Sequence, residues 1–594
     1  MIDTVRSTLT LARIAWRESK GRTVFALLLM LLQFTAMPLA APALAALTNA
    51  ALAHDASRVA GAAIAVAAMT MAGLVAGHFG HIFYFELGEM VQLALERDLV
   101  EFSNGSAGLE HHERPDYADK LRFVSQEINW AGWSIMNMLF SSVGLGLGVV
   151  ITAFLLAALN PWLLLLPLFA LPSLLLGRRG EVVMGNAREH AAPFTRRVRH
   201  VFRLATDAGP AKELRACGLG EEMSRRQRES WDDATRVLVR GEDRSALLQV
   251  TGQIFFAVAY IGATLLVVRD VVAHRGSVGD VVLVISLAGQ VNQQVTQAVF
   301  LLVGLQRIAR ALANLSWIRA LVSKDLPIPD LALPKTIKHG ITLRDVSFSY
   351  PGTERVVLAG VNLDLPAGHT VAIVGENGAG KTTLVKLLCR FYEQTAGTIE
   401  MDGVDMRRFP LEDWRARIAA GFQDFARFEF LAREVIGVGD LPKIADAAAV
   451  TRALGRARGE DLLTRLDDGL ETQLGKSYAD GTDLSGGQWQ KLALGRAMMR
   501  ETPLLLILDE PTSALDAQAE HNLFEEYAAS AKRVARKTGA VTVLVSHRFS
   551  TVRMADLILV VNDGAIQESG SHEDLVALGG LYADLYGMQA RAYS

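Results

Sequence analysis

Hydrophobic and polar positions are unevenly distributed along this chain. Asp, Glu, Lys and Arg are absent from five long blocks, residues 23–54, 59–85, 128–177, 245–268 and 281–306, and no comparable block follows. A helix needs about 20 apolar residues to cross a hydrocarbon core of about 30 Å, so four of these blocks predict one membrane span each. The 50-residue block predicts two, because Asn160-Pro161 is a turn signal with a long apolar stretch before it and a minimal one after it. The expected spans are about 23–50, 59–85, 130–158, 161–177, 246–268 and 281–306, within a membrane domain over residues 23–323.

A different pattern takes over further on. Residues 324–340 carry Pro327, Pro329 and Pro334 and read as a linker. From residue 341 to 594, short apolar runs at 371–374, 504–508 and 541–545 alternate with helical stretches. That alternation predicts an α/β domain whose strands are buried on both faces. No repeat of 20–50 residues is apparent.

Six spans put both termini on one side, and basic residues indicate which. With a cytoplasmic N-terminus, the inside segments 1–22, 86–127 and 178–244 carry 5, 4 and 15 Lys and Arg, against three in all the outside loops. The positive-inside rule therefore places both termini in the cytoplasm. Within residues 1–22, Val5, Leu9, Ala12 and Trp16 recur at helical spacing beside Arg6, Arg13 and Arg17, which predicts a helix lying in the cytoplasmic membrane interface. A secretory signal is not expected, since the first apolar block is longer than a signal's apolar core. A self-processing peptide exporter would need a protease domain ahead of the first span, where this sequence has 22 residues and no cysteine.

Composition adds exclusions. Over 594 residues, 51% hydrophobic and 21% charged, two cysteines, Cys217 and Cys389, provide neither a disulfide framework nor a structural zinc spacing. A formal net charge of −3 gives no global basic field for nucleic acid. His78 and His81 fall in the second span with no carboxylate or cysteine nearby, a weak case for a metal.

The chemistry lies in the second half. Gly375-Glu-Asn377-Gly378-Ala379-Gly380-Lys381-Thr382-Thr383 has the P-loop spacing, directly after an apolar run and before a helical one. Glycines let successive backbone N–H groups face phosphate oxygens, Lys381 would reach the β and γ phosphates of ATP, and Thr382 would hold Mg2+. The run 504–508 ends in Asp509 and Glu510, placing one carboxylate for Mg2+ and the next to polarise an attacking water.

Leu484-Ser485-Gly486-Gly487-Gln488, between these two motifs, matches a signature in full, and with it the sequence resembles the ATP-binding cassette transporters. The resemblance covers both halves, six spans fused ahead of one cassette, which is the layout of an exporter-type half-transporter. It implies an all-α membrane domain whose helices extend into the cytoplasm, followed by an α/β P-loop domain with a helical signature subdomain. It implies that the signature of one chain closes over ATP held by the P-loop of a second. It further implies that Tyr350 stacks on adenine, that Gln423 senses Mg2+ and the attacking water, that His547 contacts the γ-phosphate, and that residues 513–516 link the two ATP sites.

The implied function is ATP-driven export of an uncharged or amphipathic substrate, such as a lipid, drug or hydrophobic peptide, across the bacterial inner membrane. Intact Glu510 and His547 favour a homodimer over a heterodimer, and pumping over a regulatory role; import through the same fold is the alternative. Coupling helices are expected near residues 111–120 and 211–219. At residue 476, where the family has an acid just after Gly475, this chain has Lys476. In the sixth span Gln290, Gln294 and Gln297 form one helical stripe, expected to line the translocation path.

Overall fold

The computed structural model describes residues 2–105, 108–322, 328–509, 517–546 and 548–593. The chain divides into two units, residues 1–104 with 119–319, and residues 105–118 with 320–594.

The first unit is helical. It begins with α1 (Ile2–Glu18), followed by α2 (Lys20–Leu52), α3 (Ala56–Asn104), α4 (Pro115–Leu159), α5 (Leu171–Thr206), α6 (Gly220–Val272) and α7 (Val278–Val322). Six helical segments are long and apolar enough to cross a membrane. Several far exceed that need. At 1.5 Å per residue the 53 residues of α6 span about 80 Å, so most of each charged stretch continues an apolar span as one rod. On the charged half of α6, Arg225 pairs with both Glu222 and Glu229, and Arg226 pairs with Glu222, at helical spacing that supports a solvated helix.

The expected break at Asn160-Pro161 is present. Asn160 accepts a hydrogen bond from the Trp162 N–H at 3.0 Å and caps a short 3-10 turn, Pro161–Leu165, which leads through Leu166–Phe169 into α5. Small residues let neighbouring helices approach closely: a Cβ on Gly73 of α3 would sit 3.1 Å from Ala36 of α2. Among the described side chains of α1, Leu11 and Ala15 are buried, while Leu9 and Trp16 on the face predicted to be apolar are exposed.

The cassette sits in the second unit. Strands β1 (Gly340–Ser349), β2 (Val356–Pro366), β4 (Ala396–Met401) and β5 (Val404–Asp405) form an antiparallel sheet in the order β2-β1-β4-β5. Strands β3 (Thr370–Val374), β6 (Ile418–Gly421), β7 (Leu505–Asp509), β8 (Val541–Val545), β9 (Leu557–Asn562) and β10 (Ala565–Gly570) form the second, in the order β10-β9-β3-β8-β7-β6. From β9 to β6 its neighbours run parallel. The residues of β7 and β8 are buried throughout, as continuous apolar runs require when both faces of a sheet are covered. A helical subdomain includes Ala432–Gly437, Ala447–Arg456 and Gly486–Ala497, and its Leu454, Trp489 and Leu492 share one core with Ala419, Leu506, Leu508 and Leu544 of the parallel sheet.

Candidate nucleotide-binding site

The parallel sheet brings the C-terminal ends of β3, β8 and β7 side by side: Ile373 pairs with Val545, and Val545 with Asp509. Beyond β3 the loop over residues 375–380 turns on three glycines with positive φ, Gly375, Gly378 and Gly380, before α8 (Lys381–Leu388) begins. The Lys381 ammonium is nearly buried and donates to the carbonyls of Gly375 (2.9 Å) and Glu376 (2.8 Å), folding back over its own loop. Those carbonyls hold the charge where an incoming phosphate can take it over.

A cavity of about 610 Å3 opens beside this loop, within the range of small-ligand sites. Tyr350, Asn377, Gly378, Gly380, Lys381, Thr382, Thr383 and Gln423 all line it. Ala379 is buried behind the loop, and Asp509 is buried at the end of β7, next in register to the cavity-lining Val545. Tyr350 is fixed by its hydroxyl, 3.1 Å from Thr383 Oγ1, and by edge-to-face packing on Phe348 and Tyr392. The Thr382 hydroxyl and the Asp509 carboxylate carry oxygens of the kind that could hold Mg2+. Glu510, His547 and residues 513–516 lie outside the described residues. Sequence reasoning missed Thr353, Arg355 and Asp563 as cavity walls. The Asn562-Asp563-Gly564 turn is legible as a hairpin signal, but nothing local tells which cavity a turn will border.

The signature residues are elsewhere. Ser485 caps helix α9 (Gly486–Ala497): its Oγ accepts from the Gln488 N–H at 3.3 Å, and Gln488 Oε1 accepts from the Ser485 N–H at 2.8 Å, a reciprocal capping box. None of Ser485, Gly486, Gly487 and Gln488 lines the cavity. Lys476 pairs with Asp483 at 2.9 Å, so the charge that departs from the expected pattern is satisfied within its own loop.

Residues 358–513 match the family described as ABC transporter. An ATP-dependent lipid A-core flippase of Aromatoleum aromaticum is 34% identical over 383 residues, 63% of this chain and 60% of that protein. One of Pseudomonas fluorescens is 35% identical over 358 residues, 60% of this chain and 56% of that protein. The chain thus matches less than two thirds of the length of either flippase. The subtilin transport ATP-binding protein SpaT of Bacillus subtilis is 29% identical over 491 residues, 81% of this chain and 77% of that protein. Over residues 358–513 the chain is similar to the ABC transporter family. Its fold is that of a solved bacterial Atm1-family ABC exporter with ATP bound, with a TM-score of 0.77 and 23% identity over 96% of this chain and 99% of that one. Among the described residues, six helices long and apolar enough to cross a membrane precede the region that matches the ABC transporter family.

Near residue 111 there is no separate helix: residues 109–114 form a turn, with hydrogen bonds from His112 N to Leu109 O and from Arg114 N to His111 O, and Pro115 then starts α4. Proline at a helix start gives up an N–H that has no partner there anyway. This turn belongs to the cassette's unit, where the Leu109 N–H donates to Phe391 O at 3.0 Å and Glu113 pairs with Lys386 at 3.1 Å. The second expected element is a six-residue helix, Ala211–Ala216, with no buried residue.

In α7, Gln290 Nε2 donates to Met37 O and Gln294 Nε2 to Thr152 Oγ1, both at 3.0 Å. Each of these two amides thus makes one inter-helix hydrogen bond, as a polar group between apolar helices does where it finds a partner. Gln297 is half-buried on the same helix. His81 Nδ1 lies 2.6 Å from the Tyr84 hydroxyl, and among the described residues no cluster could hold a metal ion.

Proposed function

We propose that this chain is one half of an ATP-hydrolysing exporter that moves an uncharged or amphipathic cargo, a lipid or hydrophobic peptide, out of the cytoplasm as a homodimer. The observation that carries the reading is the cavity itself: P-loop, Tyr350 and Gln423 surround one space, while the Ser485 helix start lies outside it. A second copy offering its Ser485, Gly486 and Gly487 backbone would complete the phosphate cradle, since a helix N-terminus attracts anions. The names of the relatives, lipid A-core flippase and subtilin transport protein, support a lipid or peptide cargo.

In this mechanism Tyr350 stacks on adenine, the N–H groups of residues 377–383 hold the phosphates, and Lys381 leaves the Gly375 and Glu376 carbonyls for the γ-phosphate. Mg2+, held by the Thr382 hydroxyl and Asp509 with Gln423 alongside, would neutralise charge on the phosphates. Glu510 polarises the attacking water and His547 steadies the γ-phosphate. Closure of two cassettes over two ATP molecules pulls the cytoplasmic turns together, and the long helices transmit that movement to the membrane as a switch between inward- and outward-facing states.

The test is ATPase activity of the purified dimer, screened against lipids, hydrophobic peptides and drugs. Stimulation by at least one amphipathic class, abolished by Glu510→Gln, is the expected result. Full activity in Glu510→Gln would remove the proposed base, and a flat response to every class would remove the proposed cargo.

A further inference from the structure

The Gly108-to-Arg114 turn touches the cassette at two points that flank the aromatic residue of the nucleotide cavity. Its backbone is joined to Phe391, through the Leu109 N–H at 3.0 Å, so closely that a Cβ on Gly108 would lie 2.9 Å from the Phe391 oxygen. Its Glu113 carboxylate is 3.1 Å from the Lys386 ammonium. That ammonium in turn lies 5.1 Å from the ring centre of Tyr350 and 5.5 Å from that of Tyr392. Both distances are within the reach over which an aromatic face attracts a cation. Tyr392 stands edge-on to Tyr350 with ring centres 5.4 Å apart, next in sequence to the residue that receives the turn. Tyr350 lines the nucleotide cavity, and Lys386, beside its ring, does not.

We propose that Lys386 is a positioning residue that makes adenine stacking on Tyr350 depend on the docked turn, linking base recognition, and not only phosphate binding, to the membrane helices α3 and α4. The proposal rests on the reading of Tyr350 as the adenine platform. Burial disfavours charge on Lys386, but the Glu113 carboxylate and Tyr350 outweigh it and hold the amine above its ordinary range. The lysine stem is flexible, and Glu113 fixes where its charge stands. If the turn withdraws, the ammonium loses the acid that positions it and relaxes into solvent, and the π face of Tyr350 loses a cation that draws electron density from the ring. An electron-depleted ring stacks better on the electron-rich purine, so docking tightens the base site. Linkage makes the effect reciprocal: a purine stacked on Tyr350 favours the docked turn. Phosphate binding at Lys381 and Thr382 is untouched by this route.

The experiment measures affinities of the full-length chain for ATP and for CTP without Mg2+, two ligands with the same triphosphate and bases of different stacking area. Lys386→Met is expected to weaken ATP about 2- to 5-fold while leaving CTP within about 1.5-fold, the range of a partly exposed cation–π contact. Glu113→Gln should give the same selective loss, the double variant should lose no more than either single one, and Lys386→Arg should recover most of the preference. Equal weakening of ATP and CTP by Lys386→Met would overturn the proposal, as would additive losses or an unchanged ATP-to-CTP ratio in Glu113→Gln. Tyr350→Leu separates the underlying reading: if it leaves the ATP preference intact, the adenine platform is wrong. If it abolishes the preference while Lys386→Met does not, only the role of Lys386 fails.

Discussion

Gly375→Ala is expected to destabilise the cassette more than Gly378→Ala, and the comparison isolates one wall of the P-loop. Both glycines have positive φ, +151° and +83°, conformations that L residues rarely adopt, so alanine at either one costs backbone strain of about 1–3 kcal/mol. Their surroundings differ. A Cβ on Gly378 meets nothing within 4 Å, whereas one on Gly375 would run into the Val561 carbonyl at a distance no real Cβ adopts. Val561 is fully buried in β9, which pairs with β3, so relief requires a shift of the parallel sheet itself. Overpacking of that kind costs typically about 1–3 kcal/mol. For a domain of this size that difference corresponds to roughly 2–12 °C in unfolding midpoint. The assay is calorimetry of the nucleotide-free full chain, following the cassette transition, so that phosphate contacts do not enter. Midpoints for the two variants within about 1 °C of each other would refute the argument that the Val561 carbonyl closes the loop from behind.

Two further outcomes follow from the cassette core and its entry strand. Trp414 is fully buried and its indole N–H donates to Leu388 O at 3.0 Å, at the end of the P-loop helix; Trp414→Phe should cost about 1–3 kcal/mol in unfolding measurements, from a lost hydrogen bond and the space it leaves. Asp402 accepts from the N–H groups of Lys338, His339 and Gly340; burial alone would raise its pKa, but those donors outweigh it and hold it below the ordinary value. A depressed carboxyl stabilises the fold above the unfolded-state pKa of about 4 and loses that contribution as pH falls through the lower folded value. Asp402→Asn should therefore lower the unfolding midpoint at pH 7 and converge with wild type as pH falls below the depressed folded value.

What the sequence revealed and what it withheld divide along physical lines. The spans, the Asn160-Pro161 break and the buried strands β7 and β8 follow from local patterning, which a linear reading captures. The P-loop, too, is local, because its spacing is its geometry. Partnerships between distant residues were not legible. Thr152 is 142 residues from Gln294 and Glu113 is 273 from Lys386, and no pattern on either element names the other. The amides of α7 read as a polar stripe in an apolar span, yet two of them serve neighbouring helices. The first coupling element was expected as a helix because it is charged and sits between spans; Pro115 instead starts α4 and leaves only a turn before it.

Directional transport tests the central claim most directly. The full-length chain is reconstituted into liposomes, with a fluorescent lipid or hydrophobic peptide chosen by ATPase stimulation and ATP supplied on one side. The account predicts that ATP outside the vesicles, reaching only outward-facing cassettes, drives cargo into the lumen or its inner leaflet, and that Lys381→Met and Glu510→Gln abolish this. Movement of cargo away from the lumen under the same conditions, or uptake that persists in both variants, would contradict it.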